Sequence, residues 1–117
     1  MHAVRVEQPL FFPTRVHLLV CTGPSCARQG SRDLFARTWI RLEEEKLAYY
    51  TKGGTVRLTE TGCLGACTFG PNMTCYYTAN GKLEEAWYSH LDEEHCVAVA
   101  RALHEGGEPP TDRRYDR

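Results

Sequence analysis

Four cysteines fall in two tight pairs, Cys21-Thr22-Gly23-Pro24-Ser25-Cys26 and Cys63-Leu64-Gly65-Ala66-Cys67. Four residues lie inside the first pair, three inside the second and 36 between the pairs. A thiolate is a soft donor, so four of them gathered in one volume select zinc or an iron–sulfur cluster over hard cations. Zinc sites also use ligand spacings of about two to four residues, so the spacing alone leaves a zinc-stabilised interaction module open. A thiol–disulfide oxidoreductase normally places Cys-x-x-Cys at a helix start, and neither pair has that spacing. Each pair sits in a short glycine-containing loop that follows an apolar, strand-like run, so folding can bring the two loops together.

The elements that must position these loops are legible in the periodicity. Val16-His17-Leu18-Leu19-Val20 reads as a buried strand running into Cys21. Beyond Cys26, Ser31 is a candidate N-cap for a helix whose inner face is Leu34, Phe35, Trp39 and Leu42, with Glu43, Glu44, Glu45 and Lys46 on its solvated side. Gly53-Gly54 breaks the chain. Val56 and Leu58 alternate with Arg57 and Thr59 as in a half-buried strand that delivers Gly62 and Cys63. Met73–Thr78 and Leu83–Tyr88 flank Asn80-Gly81, the signature of a type I′ β-hairpin. A second helix follows, with Asp92, Glu93 and Glu94 at its positive end, Cys96, Val99, Ala100 and Leu103 on its core face, and Gly106-Gly107 at its close.

The order is β-α-β, then a β-hairpin, then a C-terminal α-helix. A β-α-β unit makes a right-handed parallel crossover, the hairpin extends the sheet antiparallel, and the two helices are expected to cover its faces. This is an α/β, thioredoxin-like arrangement in which both cysteine loops leave the carboxyl ends of neighbouring parallel strands, where open α/β sheets place their ligands. The expected division is an N-terminal extension over 1–14, one domain over 15–107, and a tail over 108–117 with nothing to bury and therefore disordered.

At 117 residues, 42% apolar and 25% charged, the chain has the composition of a soluble globular domain, and its formal charge of −1 provides no electrostatic footprint for nucleic acid or an anionic membrane. The longest apolar run near the N-terminus, Leu10-Phe11-Phe12, is too short for a signal-peptide core, and nothing approaches a membrane span. Six cysteines without a secretory signal argue for a reducing, cytoplasmic setting and for metal or redox chemistry over a disulfide framework.

With these residues in place, the chain resembles the thioredoxin-like 2Fe–2S ferredoxins and, more distantly, the small 2Fe–2S subunit of NADH:quinone oxidoreductases. Val20 to Cys26, Thr61 to Cys67, Gly70-Pro71 and Trp87-Tyr88 carry the resemblance, which spans roughly residues 15–105. It implies a 2Fe–2S cluster on Cys21, Cys26, Cys63 and Cys67, the first two on one iron and the last two on the other. It implies a one-electron carrier that performs no substrate chemistry, and a homodimer. Its partners would be redox proteins; members of the family stand alone or serve larger redox systems, and some are associated with cobalamin biosynthesis. A cluster that is sensed or delivered, instead of used for electron transfer, is the remaining variant. Gly23 and Gly65, lying between ligands without a Cβ, let backbone N–H groups approach the sulfurs. The rim for electron entry is expected at Thr22, Gly23, Pro24, Ser25, Leu64, Ala66 and Phe69.

The other chemically tempting residues have blander readings. Cys75 in a strand and Cys96 on a helix core face read as buried free cysteines. His2, His17, His90, His95 and His104 show no ligand spacing; His95 and His104 are expected to face solvent and His17 to lie in the first strand. Tyr76, Tyr77, Trp87 and Tyr88 read as cross-strand packing, since no basic groove accompanies them. The glycine-rich stretch from Gly62 to Gly70 lacks the Gly-Lys-Ser/Thr of a phosphate loop.

Overall fold

The computed structural model describes residues 14–23, 28–62 and 70–116. Its elements are β1 (Val16–Cys21), α1 (Ser31–Glu44), β2 (Val56–Thr61), β3 (Met73–Ala79), β4 (Lys82–Tyr88) and α2 (Glu93–His104). The sheet order is β2-β1-β3-β4. β1 and β2 pair parallel, from Val16 opposite Val56 to Cys21 opposite Thr61, while β3 pairs antiparallel with both β1 and β4. Asn80 (φ 52°) and Gly81 (φ 75°) make the hairpin turn with both central residues left-handed, as a type I′ turn requires. Among the described residues no helix is long and apolar enough to cross a membrane.

Alternation along the strands separates two sheet faces. Val16, Leu18, Val20, Val56, Leu58, Met73, Cys75, Tyr77, Ala86 and Tyr88 form one buried face, which joins Leu34, Leu42, Cys96, Val99, Ala100 and Leu103 in a single core. Both helices therefore lie on that face, packed on each other and on β1, instead of covering one face each. The opposite face presents His17, Arg57, Thr59, Tyr76 and Glu85, a set too polar to receive a helix's apolar stripe.

Two details of the helices also depart from expectation. Gly30, not Ser31, caps α1, with φ 92°, a left-handed conformation that costs glycine little. Ser31 becomes the first helical residue and heads the buried stripe Ser31, Leu34, Thr38 and Leu42. Glu45 is not a solvated member of an acidic run: it accepts from Arg41 at 3.0 Å and from Arg101, while Arg41 also reaches Glu93 at 2.8 Å and Glu94 at 2.7 Å. This ionic lattice ties the end of α1 to both ends of α2. At the start of α2, Asp92 accepts from the His95 backbone N–H at 2.9 Å, a conventional N-cap.

The C-terminal tail is not disordered. Pro109 is buried, and the Tyr88 hydroxyl donates to the Pro110 carbonyl at 2.6 Å. Arg114 bridges antiparallel to Tyr88, with Ser89 N–H donating to the Arg113 carbonyl at 3.0 Å and Tyr115 N–H to the Trp87 carbonyl at 2.9 Å. Tyr115 meets the Trp87 ring edge-on with centroids 6.3 Å apart. The physical reason lies in β4: as the edge strand it leaves a row of backbone groups unpaired, and the tail satisfies them.

His95 clasps this tail to α2. Its Nδ1 lies 2.7 Å from Asp92 and its Nε2 2.7 Å from Asp112. The two carboxylates raise the imidazole pKa above its ordinary value, Asp92 foremost, against smaller opposing effects of burial and then Arg113. Asp92 is lowered, chiefly by the His95 side chain. A raised histidine contributes stability that is fully present below its unfolded value near 6.5 and is lost as pH rises through the folded value. The lowered Asp92 contributes above its unfolded value near 3.8, and that is lost as pH falls through its folded value. The clasp is thus strongest in mildly acidic solution. Thermal unfolding scans from pH 5 to 9 should show a decline through the neutral range that His95→Ala removes; an unaltered slope in the variant would assign the pH response elsewhere.

Candidate functional site

The parallel register of β1 and β2 is what builds the site. It brings Cys21 level with Thr61 at the carboxyl end of the sheet, two residues before Cys63 in the sequence. Cys21 N–H donates to the Asn72 carbonyl at 3.0 Å, and the next residue turns to β2, with the Thr22 N–H and hydroxyl both donating to the Thr61 carbonyl at 2.9 and 2.8 Å. Cys21 is therefore fixed between β2 and β3 and is wholly buried. Of the four predicted ligands it alone lies among the described residues; Cys26, Cys63 and Cys67 lie outside them, as do Pro24, Ser25, Leu64, Gly65, Ala66 and Phe69.

The exits of the two loops are stitched together as well. Gly70 (φ 81°) sits so close to its neighbours that a Cβ there would stand 3.4 Å from His90 Cα and 3.5 Å from Gln29 Oε1. One position thus links the segment after the second cysteine loop, the segment after the first, and the chain leaving β4. A side chain at 70 would meet both contacts and a left-handed backbone, so glycine fits where other residues are strained.

The donor set and this placement fit a thiolate-ligated centre: a soft donor at a strand end, shielded from water, with the start of the second loop brought alongside by register. Cys75 and Cys96 do not join it. Cys75 pairs with Leu18 and Ala86 on the helix-covered face, while Cys21, by strand alternation, belongs to the other. Burial pushes each thiol up to about 12, so both stay protonated at neutral pH. Cys96 sits in the core against Thr38.

The histidines are occupied individually. His17 lies in β1 as expected, bonded to the Thr59 hydroxyl at 2.7 Å, with burial and then Arg57 lowering its pKa. His104 contacts the Thr55 hydroxyl at 2.8 Å and is half-buried, not turned to solvent. His95 is likewise half-buried in its clasp, and His90 lies 3.0 Å from the Ser89 hydroxyl. His2 lies outside the described residues. Tyr77 and Tyr88 point into the core while Tyr76 and Trp87 lie on the other face, so the four rings form no common platform. Gly70, one of the residues that carry the family resemblance, has a structural role the sequence alone did not assign: the close approach to His90 and Gln29.

Comparison with known proteins gives one consistent result. The thioredoxin-like [2Fe-2S] ferredoxin family matches residues 12–104. A 2Fe–2S ferredoxin from Aquifex aeolicus (strain VF5) is 31% identical over 101 residues, covering 80% of this chain and 82% of that protein. The crystal structure of the wild-type thioredoxin-like [2Fe-2S] ferredoxin from Aquifex aeolicus has a similar fold, with a TM-score of 0.67 at 24% identity over 89% of this chain and 99% of that one. A second structure of a thioredoxin-like [2Fe-2S] ferredoxin from that organism has a TM-score of 0.65 at 25% identity, covering 86% and 90%.

Proposed function

This chain belongs to the thioredoxin-like [2Fe-2S] ferredoxin family, and on that premise we propose that Cys21, Cys26, Cys63 and Cys67 hold its cluster and that electrons pass through the rim around them. The function that comes with the family is electron carriage on a 2Fe–2S cluster, which when bound supplies a one-electron couple. The observation that carries the ligand assignment is the β1–β2 register, which sets Cys21 opposite Thr61 at one end of the sheet.

The Cys21 N–H bond to the Asn72 carbonyl and the bonds of the next residue, Thr22, to the Thr61 carbonyl hold Cys21 rigidly, so the geometry of the ligand changes little when charge changes. Burial of Cys21 excludes water from that side. The chain performs no substrate chemistry of its own. It works in the cytoplasm as a homodimer, and redox partner proteins dock over Thr22 and Gly23 and the loops that follow.

Anaerobic purification with visible absorption and EPR spectra, before and after dithionite, tests the proposal. A reddish-brown protein, EPR-silent as isolated and showing an S = 1/2 signal after one electron, is expected. A colourless protein that takes up no iron on reconstitution would refute it, and zinc content would then decide for a structural metal.

A further inference from the structure

The hydroxyls of Ser31, Thr38 and Thr74 are buried and have no hydrogen-bond partner among the described residues. The sheet divides them. Ser31 and Thr38 belong to the stripe that α1 buries on the helix-covered face. Thr74 lies between Met73 and Cys75, which point into that core, so its side chain emerges on the opposite face. Cys21 emerges there too, and Thr74 alone of the three shares its face. Register sets the two side chains one diagonal step apart. Leu19 stands opposite Thr74, and two residues along, the Cys21 N–H donates to the Asn72 carbonyl. Such diagonal neighbours on an antiparallel pair have backbones about 7–8 Å apart and Cβ atoms closer than that, a gap that a sulfur and a hydroxyl leaning toward each other can close.

The other side chains across the strands from Thr74 offer its hydroxyl nothing. Directly opposite stand Leu19, which is apolar, and Trp87, whose indole only donates. On the diagonals, His17 is bonded to Thr59 toward β2 at 2.7 Å, the Ser89 hydroxyl lies against His90, and Glu85 is exposed to water. Cys21 is wholly buried, as is Thr74 at 1% exposure. A buried hydroxyl without an acceptor is costly. A neutral thiol accepts weakly, whereas a thiolate that ligates a metal carries charge and accepts strongly.

We propose that the Thr74 hydroxyl donates a hydrogen bond to the Cys21 sulfur in the loaded protein and so favours the reduced form of the cluster. The inference rests on the assignment of Cys21 as a ligand. Reduction adds one electron and one unit of negative charge without breaking a bond. The ligand sulfurs share that charge, so a donor to one of them stabilises the reduced state over the oxidised one. Thr74 is a tuning residue: it neither ligates iron nor transfers the electron.

The test is a dye-mediated redox titration of the holoprotein and its Thr74→Val variant, followed by EPR. Valine keeps the shape and removes only the donor. At a fixed potential the ratio of reduced to oxidised protein should fall about fivefold in the variant, a shift of about 41 mV to lower potential at about 59 mV per tenfold for one electron. Thr74→Ser, which keeps the donor, should stay near the wild type. Thr38→Val makes the same change to a buried, unpaired hydroxyl on the helix-covered face and should leave the potential unchanged. Thermal unfolding of the apoprotein supplies a second readout: Thr74→Val should be as stable as the wild type or more so, because its methyl replaces a hydroxyl without a partner. An unchanged potential, an equal shift in Thr38→Val, or a destabilised Thr74→Val apoprotein would overturn the proposal. So would a Thr74→Val protein that takes up no iron, since the hydroxyl would then serve assembly instead of tuning. A wild-type chain that binds no iron would instead sink the ligand assignment before any variant is compared.

Discussion

Cys21→Ala is expected to give a folded chain that has lost its colour. Alanine has no donor atom, and the position it vacates is sealed between β2 and β3, out of reach of a replacement water ligand. No other thiol among the described residues can step in. Cys75 lies on the opposite sheet face and Cys96 in the helix core, each with its proton held on up to a pKa of about 12. Cluster retention should drop by more than about 100-fold, beyond the range typical for changes to outer-shell partners. Iron content and visible absorption should fall to background in this variant and in the alanine variants of Cys26, Cys63 and Cys67, while Cys75→Ala keeps its full spectrum. A Cys75→Ala protein without colour would overturn the ligand set.

Deleting residues 108–117 should destabilise the protein by roughly 2–4 kcal/mol, taking several bonds at about 1 kcal/mol each against the entropy regained by the freed segment. The Tyr88 side chain is wholly buried, and without the Pro110 carbonyl its hydroxyl is stranded. β4 loses its bonds to Asp116 and Tyr115, Ser89 just beyond it loses its bond to Arg113, and α2 loses the anchor between His95 and Asp112. For a chain of this size the midpoint of thermal unfolding should fall by about 10 °C. The visible spectrum should survive, because among the described residues the tail's bonds run to β4, the segment after it and α2 and not to Cys21 or Thr61. An unchanged midpoint would mean that the tail does not hold these contacts in solution.

The contrast between these two regions shows what a sequence makes legible. The cysteine loops could be placed because the residues before them are simple: Val16 to Val20 and Val56 to Thr59 alternate or run apolar, and the Asn-Gly turn has one economical geometry. The tail was misread because its own residues are charged and proline-rich, and its partner is the unpaired edge of β4, a need that belongs to another part of the chain. The placement of both helices on one face followed the same logic. Each helix has a plain apolar stripe, but which sheet face receives it depends on the summed polarity of His17, Arg57, Tyr76 and Glu85 across four strands. Ser31 looked like a cap because serine commonly is one; Gly30, free to adopt a positive φ, took that place and left the hydroxyl inside.

The parallel register also sets an order of events in folding. Val16 meets Val56 forty positions later, with a whole helix in between. Closing so long a loop is slow compared with forming α1 or the β3–β4 hairpin, whose contacts are local. Until that crossover closes, the chain displays its first thiol pair alone and the second pair has no fixed place beside it. Cargo delivered early therefore meets half a cage. Loading should keep pace with the rate at which β2 docks, and a substitution that slows this docking, such as Val56→Thr, should delay the appearance of colour during refolding with iron and sulfide while leaving its final intensity intact.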